Sequence, residues 1–330
     1  MIKFILRRLL IMIPTLVAIS IVTFVIIQLP PGNYLTTLVA QASEGGERID
    51  RSQLDALAKQ YGLNEPYYVQ YLTWMRGILT RADFGYSFEW NRPVWDLLSD
   101  RLPLTIILAL TTLAVSWCIS LAIGFYSAVR QYSIGDYLAT TAGFIGLAIP
   151  NFMIALVLLW LSVKFWSQSV GGLFSSEYVD APWSMARVGD LMAHLWVPIL
   201  VLGTAGTAGL FRILRANLLD ELRKPYVVAG RARGIPEGRL ILFYPFRVAL
   251  NPFVSTIGWT LPALVSGEVV VSSVLSLPTT GPLLLNALRS QDMFLAGAVI
   301  LIISVLTVIG TLISDILLAA LDPRIRLADT

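Results

Sequence analysis

Charge is scarce in this 330-residue chain. Only 14% of its residues are Asp, Glu, Lys or Arg, against roughly 25% in an average soluble domain, which argues against an ordinary cytosolic enzyme. Cys118 is the sole cysteine and His194 the sole histidine. A disulfide framework, a Cys/His metal site and a Cys–His dyad are therefore poorly supported. Lysine is nearly as rare: Lys3, Lys59, Lys164 and Lys224 are all there are, and none follows a glycine. The Gly-Lys-Ser/Thr of a phosphate-binding loop is thus missing. The balance of 24 basic to 21 acidic residues is too even to point to nucleic acid.

Apolar residues, by contrast, make up 56% of the chain. They gather in six stretches, approximately Leu9–Leu29, Leu104–Val129, Leu138–Val163, Leu191–Leu214, Val248–Leu275 and Met293–Leu321. At ~1.5 Å rise per residue each is long enough to cross a ~30 Å hydrocarbon layer. A backbone in lipid must satisfy its own hydrogen bonds, so helices are expected. The first run follows Lys3, Arg7 and Arg8 as a signal peptide would, and Ala40-Gln41-Ala42 resembles a cleavage site. It exceeds the ~7–15 residues of a signal core, and is read as an uncleaved span. With six spans, both termini and the second and fourth loops share one side, and that side holds 14 of the 24 basic residues. The positive-inside rule places it in the cytoplasm.

Two loops are more than connectors. The first external segment, Pro30 to Pro103, carries helix signals of its own. Ser52 and Asp55 form a plausible capping box and Gly62 a stop. Pro66 then opens a second segment, with Tyr68, Tyr71, Leu72, Met75 and Leu79 at helical spacing. Two readings stand: a helical cap on the external mouth, or a docking surface for a delivery protein. The fourth loop, Arg212 to Arg247, faces the cytoplasm and is too short for its own core. Pro225 starts a helix within it, Tyr226 to Arg233 continue it, and Gly234-Ile235-Pro236 ends it. Such a helix fits a groove on a partner protein or lies on the membrane surface; the pattern favours neither.

Taken in order, several short motifs resemble one family. They are Arg7-Arg8-Leu9-Leu10, Ile13-Pro14-Thr15, Pro31-Gly32, Tyr61-Gly62-Leu63, Gln70-Tyr71-Leu72, Asp83-Phe84-Gly85, Arg101-Leu102-Pro103, His194-Leu195 with Pro198, and Asp322-Pro323-Arg324-Ile325-Arg326. Each is weak alone; their order and spacing over nearly the whole chain are similar to the inner-membrane permeases of ATP-binding-cassette importers, in the dipeptide, oligopeptide and nickel branch. The resemblance implies an all-α polytopic fold of six transmembrane helices with a short cytoplasmic coupling helix. It identifies Tyr226-Val227-Val228-Ala229-Gly230-Arg231-Ala232-Arg233-Gly234 as that helix, with Pro252 following at the branch's usual distance. The family's Glu-Ala-Ala is Val228-Ala229-Gly230 here, a departure that touches the glutamate's role and leaves docking in place. The implied organisation is a first helix (1–29), an external helical region (30–103), a five-helix core (104–321, with the coupling loop 212–247) and a cytoplasmic tail (322–330).

Two acids fall within the spans, Glu268 and Asp315. A charge at membrane depth costs at least ~2.5 kcal/mol unless it is paired or wet. Relatives of this kind often carry a glutamate four residues later, where this chain has Ser272. A shift of four keeps the helix face, so Glu268 and Ser272 are both placed on the translocation path, with pairing of Glu268 to an arginine of the partner permease as the alternative. Asp315 is read as mainly structural. Asn151, after Ile149-Pro150, lines the path or caps the half-span. Gly203, Gly206 and Gly209, with Ala205 and Ala208, are assigned to close helix packing. Trp160 and Trp166 are assigned to the membrane interface, and His194 to capping or to the interface.

The expected function is a pathway-forming permease working by alternating access on peptides or similar polar solutes. The resemblance implies a second homologous permease, two ATPase subunits that bind the ATP and Mg, an external solute-binding protein and surrounding lipid; this chain itself is expected to bind no cofactor. An ion-coupled carrier lacks its usual inverted repeat here. An intramembrane enzyme lacks a nucleophile–base pair. Oligosaccharides and nickel chelates are the alternative cargoes.

Overall fold

The computed structural model describes residues 2–28, 65–87, 89–166, 171–265 and 269–321. The expected capping box at Ser52 and stop at Gly62, the residue Glu268 and the Asp322–Arg326 motif lie outside them. Helix α1 is Ile2–Gln28 and α2 is Tyr67–Arg81. A two-residue hairpin follows, β1 Tyr86–Ser87 pairing antiparallel with β2 Arg92–Pro93. Helices α3 (Val94–Val129), α4 (Ile134–Ala148), α5 (Asn151–Trp166) and α6 (Met185–Leu222) come next. Short helices α7 (Pro225–Ala232), α8 (Glu237–Phe243), α9 (Pro245–Ser255), α10 (Ile257–Val265), α11 (Val269–Val274) and α12 (Thr280–Arg289) lead to α13, Met293–Leu321.

Among the described residues five segments are long and apolar enough to cross a membrane, and the bent pair α4–α5 would make a sixth. The third apolar stretch is therefore not the straight span expected from hydropathy: α4 and α5 meet at 99°. Pro150 explains the break. It has no N–H for the helix ladder, and it pushes the residue before it out of the helical region; Ile149 is extended at φ −89°, ψ 124°. The fifth stretch is also segmented. Pro236 caps α8, Pro245 opens α9 after Tyr244 at φ −116°, ψ −80°, and α10 begins beyond Thr256.

Helices α3 and α6 run side by side as the central pair. Their first halves share one apolar cluster around Leu104, Leu108, Leu195 and Val201. Their second halves share another around Ala128, Leu214, Leu218 and Phe253. The pair is therefore parallel. Small residues bring the backbones close: Thr112, Ser116, Ser120 and Gly124 of α3 are buried, and Ser120 Oγ donates to Thr207 O at 3.1 Å. A Cβ on Gly203 would sit 2.9 Å from Ser116 Oγ, and one on Gly124 3.0 Å from Phe211 O. Gly206 and Gly209 do not take part in this contact: nothing lies within 4 Å of a Cβ on either. At 36 and 38 residues the two helices are ~54–57 Å long by rise per residue, well beyond a ~30 Å bilayer core.

The hairpin sits at the N-terminal ends of α3 and α13. Asp292 holds it there. The wholly buried carboxylate accepts from Ser87 Oγ at 2.5 Å, Glu89 N at 3.4 Å and Leu295 N at 3.2 Å, and so caps α13 as well. Helix α2 packs on the same end of α1, where Ser20 Oγ and Tyr71 Oη lie 2.7 Å apart and Phe24 meets Tyr71 edge-on. At the opposite end the start of α1 meets the end of α13 through Arg8 and Asp315. The molecule thus has a hairpin end and an α7 end, and α1 begins and α13 finishes at the latter.

Candidate coupling surface and membrane acids

Helix α7 stands on the overhang of α6. Arg223 ends α6, and Lys224, extended at φ −69°, ψ 148°, turns the chain into Pro225 at the first helical position. The far end closes as a Schellman motif: Gly234 N donates to Arg231 O at 2.9 Å and Ile235 N to Gly230 O at 3.2 Å. Gly234 takes φ +76°, which residues with a Cβ resist. The start and the stop read from the sequence, Pro225 and Gly234, therefore work by the expected chemistry, although the last helical residue is Ala232.

The helix has two faces. Val227 and Gly230 point inward and are buried, and a Cβ on Gly230 would come within 2.5 Å of Leu240 Cδ1 in α8. Val228, Ala229 and Ala232 face outward, with Val228 57% exposed. Tyr226 is fixed at the base by the 2.6 Å hydrogen bond it donates to Glu221 Oε2; burial and that bond push its phenol well above the usual tyrosine range, so it stays a neutral donor. Arg231 closes the α7–α8 turn on Glu237, with Nη2–Oε1 at 2.7 Å. Arg233 and Ala232 are exposed beside it. An outward apolar strip is thus set among arginines on a short helix fixed from below.

A clamp not foreseen from the sequence holds the arm of α6. Arg215 donates bidentately to Asp136, Nε to Oδ1 and Nη2 to Oδ2, both at 2.8 Å. Asp136 is 2% exposed, and it also accepts from Tyr132 N at 3.0 Å. The turn between α3 and α4 is thereby tied to α6 one helical arm above α7. The available signal was an acid opening an otherwise apolar stretch three residues after the capping Ser133.

The remaining candidates do not converge on one place. Asp315 Oδ2 lies 3.3 Å from Arg8 Nη1, an ion-pair distance without an aligned hydrogen bond. Asn151 is the first residue of α5, half-buried, directly after the capping Pro150, whose carbonyl accepts from Met153 N at 2.9 Å. Ser272 is 1% exposed within α11 and its carbonyl accepts from Leu277 N at 2.8 Å; in this conformation it faces packed protein. Lys164 Nζ stands 4.5 Å over the Trp160 ring. His194 Nδ1 donates to Asp190 O at 2.8 Å within α6.

The class of protein comes from its relatives, whose names are those of membrane transport permeases. The chain belongs to the inner membrane components of binding-protein-dependent transport systems: the model of that family matches residues 120–327, and that of its N-terminal region matches residues 1–109. It is 38% identical to the oligopeptide transport system permease protein AppB of Bacillus subtilis, over 99% of this chain and 100% of the relative. It is 28% identical to the dipeptide transport system permease protein DppB of Escherichia coli K12, over 99% of each. It is 29% identical to the nickel import system permease protein NikB of Staphylococcus aureus, over 99% of this chain and 92% of the relative. The chain is thus a multi-pass inner-membrane permease subunit of an ATP-binding-cassette importer. Membership of the family implies a partner permease, ATPase subunits that use the ATP, and a solute-binding protein.

Proposed function

We propose that this permease forms half of a pathway for short peptides, pairs with a second homologous permease, and is driven by two ATPase subunits that hold ATP and Mg. The observation that carries the cargo is end-to-end similarity to permeases named for oligopeptide and dipeptide transport. Nickel chelates form a second reading, favoured by the nickel import relative. Both termini and α7 face the cytoplasm, as the basic residues gathered at that end favour. Helix α7, residues Tyr226 to Gly234 with their capping, is the coupling element. Its support is the pairing of a rigid inner face with an exposed apolar outer one.

The mechanism follows from these parts. Closure of the ATPases displaces α7, the α6 arm carries that displacement, and the crossings repack between inward and outward openings. Moving such an equilibrium from 1:99 to 99:1 takes about 5.5 kcal/mol of differential binding, which ATP supplies through the partner subunits. Glu268 and Asn151 are assigned to the path, Ser272 to a packed position beside it that repacking exposes, and Asp315 to holding α1 on α13. The test is a Val228→Asp, Ala229→Asp double substitution. The permease should insert at normal levels yet lose its ATPase partners or hydrolyse ATP without uptake. Normal yield of complex with normal ATP-driven uptake would remove α7 from this role. Uptake of labelled tripeptide and of chelated nickel by the same complex separates the two cargoes.

A further inference from the structure

At the hairpin end, a cavity of about 560 Å³ opens between the start of α3, the 171–184 loop, the first turn of α6 and the α11–α12 turn. That volume is in the range of small-ligand pockets. Four charged residues line it: Asp100, Arg101, Asp180 and Arg187. Two of them have structural partners. Asp100 pairs with Arg92 at 3.3 Å. Arg187 is held between the Phe174 and Trp183 rings, 4.7 Å from each centroid, and donates to the carbonyls of Val179 and Ala181. Two cation–π contacts and two donated hydrogen bonds make it a brace for the loop.

The other two have none. The guanidinium of half-buried Arg101 and the exposed carboxylate of Asp180 make no ion pair or hydrogen bond with any described residue. They share one cavity yet do not neutralise each other. Both line the open cavity, where a charged ligand can reach them.

We infer that this cavity is an entry subsite for zwitterionic cargo, in which Arg101 receives the terminal carboxylate of a short peptide and Asp180 its terminal ammonium. The proposal rests on the peptide reading above and extends it to named groups. A concave wall with one free charge of each sign suits a small solute with both charges better than the broad face of a delivery protein.

The test uses the complete importer in proteoliposomes, with binding protein in excess, and three probes: trialanine, its C-terminal amide and its N-acetyl form. Loss of one charge-assisted contact is worth roughly tenfold. Arg101→Gln should therefore slow trialanine roughly tenfold relative to its amide, and Arg101→Lys should recover part of the loss. Asp180→Asn should slow trialanine relative to the N-acetyl form. Equal losses on free and blocked peptides would assign these residues to structure or to binding-protein docking and overturn the subsite. Unchanged uptake would overturn it too, leaving the peptide reading intact. A wild-type complex that moves chelated nickel and none of the peptides would overturn both. If Arg101→Gln does not assemble, a diazirine-bearing tripeptide on the wild-type complex decides the matter. Adducts on residues 99–104 or 172–187 support the subsite, and adducts only elsewhere overturn it.

Discussion

Gly234 ends α7 with a φ that a side chain resists, and no neighbour crowds it. Gly234→Ala should therefore cost about 1 kcal/mol through backbone strain alone. Thermal unfolding of the detergent-solubilised complex should register a small loss, while uptake per ATP hydrolysed should fall more, because the strain is local to the proposed coupling helix. Asp292 makes the opposite kind of argument. Burial pushes its carboxyl above the ordinary 3.8 despite three donated hydrogen bonds. The folded protein thus binds the proton more tightly than the unfolded chain, and stability falls as pH rises from about that value through the raised pKa. Asp292→Asn removes the ionisation, keeps an acceptor oxygen for Leu295 N and turns an amide N–H toward the Ser87 hydroxyl, which can accept it. The melting temperature of the variant should be flatter with pH than that of the wild type, and parallel curves would contradict this account.

Among the helices, the Asp136–Arg215 clamp carries the sharpest expectation. Removing Arg215 strands a carboxylate that is 2% exposed; breaking a buried pair in this way costs on the order of 3–5 kcal/mol. Arg215→Met should lower the melting temperature clearly, and adding Asp136→Asn should recover much of the loss. Equal destabilisation in the single and double variants would mean that the two residues act independently. What the sequence disclosed at this scale, and what it hid, have physical reasons. Proline and glycine mark chain breaks directly, so both ends of α7 and the start of α5 were readable from Pro225, Gly234 and Pro150. Hydropathy registers only the part of a helix in lipid. It therefore missed Val94–Pro103 at the head of α3 and the last two turns of α6, where acids and arginines interrupt the apolar run. It also could not register the 99° turn, because a proline shows that a ladder stops and says nothing of where the chain goes next. The hairpin, two residues per strand, is too short for any alternation. The free charges at Arg101 and Asp180 were invisible for another reason: 79 positions apart, only the fold makes them neighbours of one cavity.

Seen whole, the protein is a pair of long parallel rods with shorter pieces arranged around them. The close seam at Ser116–Gly203 and Gly124–Phe211 leaves no space for one rod to slide on the other, so α3 and α6 form a lever of ~55 Å. A tilt of only about 5° at the α7 end would carry the opposite end through ~5 Å, about one helical pitch. In the proposed cycle α3 and α6 travel together as one stiff beam that turns a small push into a gate-sized displacement, and the repacking falls to the shorter helices around them. This has a direct consequence in the Cys118→Ser background. A Cβ on residue 203 lies 2.9 Å from the γ atom of residue 116, close to the spacing a disulfide requires. Oxidised Ser116→Cys, Gly203→Cys protein should transport at nearly the rate of its reduced form, because the bond ties together parts that travel together. Uptake that stops on oxidation and returns on reduction would mean that the beam itself shears in every cycle.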